Sequence, residues 1–181
     1  MVRQVRPMRD GSGRDYEMAF ENWLRENRIQ YVKADEHKRP GLPGTSVKNF
    51  DFLLYPRPGR RVIAEVKGRT YRGTALARRT GLECWVTRDD LASLQTWRAA
   101  LGPDHEAIFV FAYRVVNVDV DCDGCDRLRY GPGRYVFLCL PLDDYCAHMK
   151  PRSARWDTMT LPAARFRAHA LSLSAFLKET P

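Results

Sequence analysis

Asn49-Phe50-Asp51-Phe52-Leu53-Leu54-Tyr55-Pro56-Arg57-Pro58-Gly59-Arg60-Arg61-Val62-Ile63-Ala64-Glu65-Val66-Lys67-Gly68 reads as two short strands joined by a proline- and glycine-rich turn. Successive strand side chains point to opposite faces, so Val62, Ala64 and Val66 share one face and Ile63, Glu65 and Lys67 the other. A carboxylate and an ammonium thus end an otherwise apolar strand, and Asp51 comes in from its neighbour. An Asp facing Glu-x-Lys suits cation-assisted phosphodiester hydrolysis. Two hard carboxylates hold Mg²⁺, and the lysine steadies the attacking water or the developing phosphorane charge. The chemistry requires Asp51 and Glu65 to converge; on opposite sheet faces they could not share an ion. A cross-strand salt bridge on a half-exposed sheet is the competing reading.

Before the hairpin, Tyr16, Ala19, Phe20, Trp23 and Leu24 recur at helical spacing behind Ser12-x-x-Asp15, a helix-capping pattern. Glu17 borders this apolar face and can look along the core toward a site, while Glu21 turns further toward solvent. Ile29 to Lys33 reads as a strand. The charged, turn-rich stretch after it holds a lone His37, a weak candidate for ligand or base.

After the hairpin come Arg69, Arg72, Arg78 and Arg79, interspersed with Tyr71 and glycines. A basic loop there would track a phosphate backbone, with Tyr71 stacking on a base; a solvated linker is the plain alternative. Thr87 and Asp90 form a capping box for a helix whose expected buried stripe is Leu91, Leu94, Trp97 and Leu101. The cap accounts for Asp90, with a site role second. Ala107 to Tyr113 is a continuous apolar run, expected as a strand buried on both faces at the sheet centre. A second hairpin flanks Gly131-Pro132-Gly133, and a short helix, a short strand and a last helix opened by Pro162 follow.

The 181 residues suit one domain, with residues 1–12 a loose basic tail, 13–113 a core and 114–181 an extension packed on it. Thirty Lys+Arg against 22 Asp+Glu give +8, with arginine dominant, so an anionic partner is expected, nucleic acid first. No apolar run approaches the ~20 residues that span a bilayer, and no secretory core opens the chain. A cytoplasmic protein with no membrane partner is expected, and five scattered cysteines fit a reducing compartment. Cys122-Asp123-Gly124-Cys125 is half of a structural zinc knuckle without its other half; Cys122 and Cys125 are weak zinc candidates.

The order of elements, a helix with a border Glu, a strand, the Asp51 strand, the Glu65-x-Lys67 strand, a helix and a buried strand, resembles the PD-(D/E)xK nuclease superfamily. Its Holliday-junction-resolvase-like members look nearest, over about residues 13–113. The resemblance implies an α/β, restriction-endonuclease-like fold: a mixed central sheet flanked by helices, an α-β-β-β-α-β core, and a C-terminal hairpin-and-helix extension. It also implies a Mg²⁺- or Mn²⁺-dependent endodeoxyribonuclease acting on DNA, branched DNA among its substrates. Asp51 and Glu65 would ligate the metal, Lys67 would activate or stabilise, and Glu17 would be the first-helix acid. Resolvase-like enzymes are commonly homodimers, because their substrates have two-fold symmetry. Phe50 replaces the proline frequent before the Asp, and Asp90 stands near where resolvase-like members often carry Gln. Asp15 to Glu21 also resembles the signature of an uncharacterised bacterial family named HYExAFE, with Asp15 in place of its His. A non-catalytic nucleic-acid-binding module on the same scaffold is the alternative, and a structural domain the third reading.

Overall fold

The computed structural model describes residues 13–35, 47–73, 76–116 and 125–178. The 1–12 tail with Ser12, His37 and Cys122 lie outside them. The first helix, α1 (Gly13–Glu26), buries Tyr16, Ala19, Phe20, Trp23 and Leu24, the stripe its 3.6-residue period predicts. Then come β1 (Gln30–Lys33), β2 (Phe52–Arg57) and β3 (Arg60–Tyr71), a 3₁₀ turn at Leu76–Arg78, β4 (Val86–Thr87), α2 (Arg88–Leu101) and β5 (His105–Val115). The rest comprises β6 (Asp126–Tyr130), β7 (Gly133–Pro141), α3 (Leu142–His148), β8 (Lys150–Ser153), β9 (Thr158–Thr160), α4 (Ala163–His169), β10 (Leu171–Ser172) and α5 (Leu173–Lys178).

The central sheet runs β1-β2-β3-β5-β7-β10, with β6 also paired to β7. Only β3–β5 is parallel among its described pairings, so the sheet is mixed, as expected. A parallel pair needs a crossover, and α2 with the segment before it supplies one. The second hairpin adds β6 and β7 to this same sheet rather than standing beside it. A small sheet, β4-β9-β8, packs next to it.

In β5 the residues alternate between two packed layers. Ile108, Val110 and Ala112 meet α1, while Phe109, Phe111 and Tyr113 meet the layer holding Leu91, Leu94, Tyr145 and Phe166. A strand covered on both faces has no polar side to show, which explains its unbroken apolar run. Leu101 departs from the expected α2 stripe: the last residue of the helix, it is 37 % exposed.

Arg60, at the start of β3, pins α5. Buried, it pairs with both Glu106 oxygens at 2.6 and 2.9 Å, donates to the Phe176 and Leu177 carbonyls at 2.7 and 3.2 Å, and lies 4.7 Å from the Phe176 ring. Those carbonyls are among the last in α5, which have no partner within the helix. Arg60→Met is therefore expected to cost about 1.5 kcal/mol, the scale of charge-assisted hydrogen bonds. Chemical denaturation measures it, and an unchanged midpoint would show α5 held by packing alone.

Candidate active site

The register Phe52↔Ala64, extended by one residue, sets Asp51 opposite Glu65, and the Asp51 N–H donates to the Ala64 carbonyl at 3.2 Å. Both carboxylates line one cavity of about 260 Å³, shared with Glu17, Lys48, Asn49, Val66 and Lys67. The two carboxylates therefore face one cavity and not opposite sides of the sheet. Glu17 reaches the cavity from α1 because Tyr16, beside it, packs flat on β3 at Gly68. A Cβ on Gly68 would fall 2.2 Å from the Tyr16 ring. The Tyr16 hydroxyl also hydrogen-bonds Thr70 Oγ1 at 3.1 Å.

Two lysines and two carboxylates form a closed ring. Lys67 Nζ lies 2.9 Å from Glu65 Oε1 and 2.8 Å from Asp90 Oδ2. Lys48 Nζ lies 3.1 Å from the same Glu65 oxygen and 3.1 Å from Asp90 Oδ1. Asp90 thus has both roles weighed for it: it closes the Thr87 capping box and anchors both ammonium groups. Burial works against its charge, but Lys67 and Lys48 hold the Asp90 carboxyl well below the usual range. Burial also opposes the Lys48 ammonium, which Glu65 and Asp90 nonetheless hold above the usual lysine value.

Lys48 was not legible as a site residue. It sits in an irregular segment with no motif of its own, and tertiary docking on α2 places it. The Trp97 indole donates to the Lys48 carbonyl at 2.9 Å, and the Phe50 ring meets Trp97 edge-on at 5.1 Å.

Asp51 differs from the other acids. Its Oδ2 accepts from the Val66 N–H at 2.6 Å, yet among the described residues no lysine or arginine pairs with it. Burial, then the Glu65 charge and more weakly that of Glu17, push its carboxyl well above the usual range, against the Val66 hydrogen bond and Lys67. Glu17 is paired with Lys33 at 3.2 Å. Glu21 is drawn away from the cavity by Arg25 at 2.5 Å and the Tyr31 hydroxyl at 2.8 Å.

The basic stretch beyond Lys67 departs from the loop expected there. Pairing with β5 continues through Arg69↔Tyr113 and Tyr71↔Val115, so both residues lie in the strand. Arg69 is buried, donates to the Gly68 and Trp85 carbonyls and stacks 3.8 Å from the Trp85 ring. Tyr71, at 2 % exposure, is a core side chain and offers no stacking face. Arg79 donates to the Ala170 carbonyl at 2.5 Å. Arg72 and Arg78 are exposed.

Among the described residues, no set of three or more His, Cys, Asp or Glu side chains closes into a metal cage. Cys125 is disulfide-bonded and so lacks the thiolate that zinc requires. An octahedral Mg²⁺ asks for less: one or two carboxylates, with waters and substrate phosphate completing the shell. The Asp51–Glu65 pair fits that demand. It offers oxygen donors alone, and its buried Asp51 charge is one that a divalent cation would neutralise.

The mixed sheet flanked by helices is the restriction-endonuclease-like fold. A solved structure similar to it is the 1.6 Å structure of Archaeoglobus fulgidus Hjc, a Holliday junction resolvase from an archaeal hyperthermophile. The TM-score is 0.53 at 12% identity, covering 91% of this chain and 99% of that one, so the likeness is one of fold. It extends well past residues 13–113, consistent with β6 and β7 completing the sheet. No protein-family model and no curated protein sequence matches the chain, and the HYExAFE resemblance rests on Asp15 to Glu21 alone. Among the described residues no helix is long and apolar enough to cross a membrane.

Proposed function

We propose that the protein is a Mg²⁺- or Mn²⁺-dependent DNA endonuclease of the PD-(D/E)xK type. The observation that carries this reading is Asp51, Glu65 and Lys67 lining one cavity, where no lysine or arginine among the described residues pairs with the Asp51 carboxyl. Asp51 and Glu65 would hold the cation, which when bound supplies Lewis-acid stabilisation of charge developing on phosphate oxygens. An ammonium has three donors; Glu65 and Asp90 take two from Lys67 and fix its direction. The third remains for the attacking water or a phosphate oxygen. Glu17 adds negative charge beside Asp51 and would favour the divalent ion further. The fold likeness to a junction resolvase, together with the +8 charge, supports DNA as substrate, branched DNA in particular.

The closed Lys48–Glu65–Lys67–Asp90 ring favours one other reading, a metal-free structural ion network in a DNA-binding module. The two separate by metal dependence. Plasmid, flap and four-way-junction DNA incubated with Mg²⁺ or Mn²⁺ should be nicked, and EDTA should stop it. No cut on any of the three with either metal, or cutting that persists in EDTA, refutes the nuclease.

Lys48 competes with the cation for Glu65 in this scheme. Lys48→Met is expected to tighten Mn²⁺ binding about fivefold, a modest effect because Lys48 is half exposed. Isothermal titration reads it directly. Weaker binding in the variant would instead make Lys48 part of the cation's support.

A further inference from the structure

The hairpin β8–β9 carries at its tip Ala154-Arg155-Trp156-Asp157. Among the described residues, the large apolar side chains reaching solvent are Met18, Val32, Leu101 and Trp156, and Trp156 reaches furthest, at 66 % exposed. Its surroundings do not resemble a site of casual exposure. The Arg155 guanidinium lies 5.1 Å from its ring, and Lys150 and Arg152 are exposed along β8. Residues 150–160 carry three cations against one acid, Asp157. Asp157 is already paired with Arg88 at 2.8 Å, and Glu83 nearby with Arg152 at 3.4 Å.

The tip is fastened to the site's own framework. The Arg88 N–H donates to the Asp157 carbonyl at 3.0 Å, and Thr87 pairs with Thr158 across β4–β9. Thr87 caps α2, whose third residue, Asp90, holds Lys67. The Trp156 N–H lies 3.3 Å from Ser153 Oγ, which further fixes the turn. An exposed indole in a cationic setting is therefore held off the end of the helix that anchors the candidate active site.

We propose that Trp156 is a stacking platform for an unpaired nucleobase of the DNA substrate, with Arg155 taking a flanking phosphate. Base–aromatic stacking tolerates any sequence but needs an accessible base face, which a continuous duplex withholds. The platform would thus select DNA with bases freed at a branch. A second copy of this chain is a poorer occupant, because it would bring an equally cationic hairpin against this one. The inference rests on DNA being the substrate, and its test separates it from cleavage.

The test uses the full chain in EDTA, with a fork carrying 2-aminopurine at the unpaired position beside the branch and a continuous duplex of matching sequence. The wild type should quench the fork's fluorescence. Trp156→Ala should abolish the quenching and weaken fork binding about tenfold, with duplex binding little changed and Trp156→Phe largely restoring the fork. An unchanged melting temperature in Trp156→Ala, expected of so exposed a side chain, excludes misfolding as the cause. Equal fork binding by wild type and Trp156→Ala, equal losses on both DNAs, or a change confined to sedimentation would each overturn the platform. Trp156-dependent fork binding without Mg²⁺-dependent cleavage would uphold the platform and defeat the nuclease; cleavage with Trp156-independent binding would do the reverse.

Discussion

Asp51→Asn is expected to lose more than about 100-fold in cleavage rate, while raising metal-free stability by about 1 kcal/mol. The two effects share one cause. Asparagine keeps the oxygen that accepts from the Val66 N–H but removes a buried charge crowded by Glu65 and Glu17. The sign with pH follows. At low pH both folded and unfolded chains carry the Asp51 proton. As pH rises past the usual carboxylate range the unfolded chain ionises first, so metal-free stability falls until pH passes the raised folded value. Asp51→Asn should flatten that fall, and Mg²⁺ should stabilise the wild type more as pH rises, because binding releases the proton. Thermal melts at several pH values, with and without Mg²⁺, measure all three. A variant less stable than wild type at neutral pH would show the Asp51 charge to be compensated in the folded protein.

Gly68→Ala should be the most damaging single methyl added near the site, costing about 3 kcal/mol, at the upper end for overpacking. The new Cβ would meet Tyr16 Cγ at 2.4 Å as well as the ring edge. Cγ lies close to the helix backbone and cannot swing aside, so α1 must move, carrying Glu17 with it. For a chain of this size the melting temperature should drop by roughly 6–12 °C. In a Tyr16→Ala background the same methyl should cost little, which a double-mutant cycle reads as coupling. Additive losses would mean that α1 does not depend on this contact.

Periodicity carried much of this architecture into view. The α1 stripe, the Pro58-Gly59 turn and the apolar run of β5 are local patterns, each with a physical cause that survives folding. Strand parity likewise placed Glu65 and Lys67 on one face, whereas the register that sets Asp51 across from Glu65 appears only in the folded hairpin. What stayed hidden depends on partners distant in the chain. Lys48 enters the site because Trp97 holds its carbonyl, 49 residues away. Arg69 and Tyr71 look like loop residues by composition, yet pairing with β5 carries the strand through them. Trp156 carries no local signal of its exposure, since an aromatic is more often core, and only the folded hairpin shows its ring in solvent.

The central claim is that Asp51, Glu65 and Lys67 act together on a DNA phosphodiester. Single-turnover cleavage of a four-way junction in Mg²⁺, comparing wild type with Glu65→Gln and Lys67→Met, tests it most directly. The expected result is measurable cleavage by the wild type and a loss of at least about 100-fold in each variant. Equal rates in all three proteins, or none in the wild type, would contradict it.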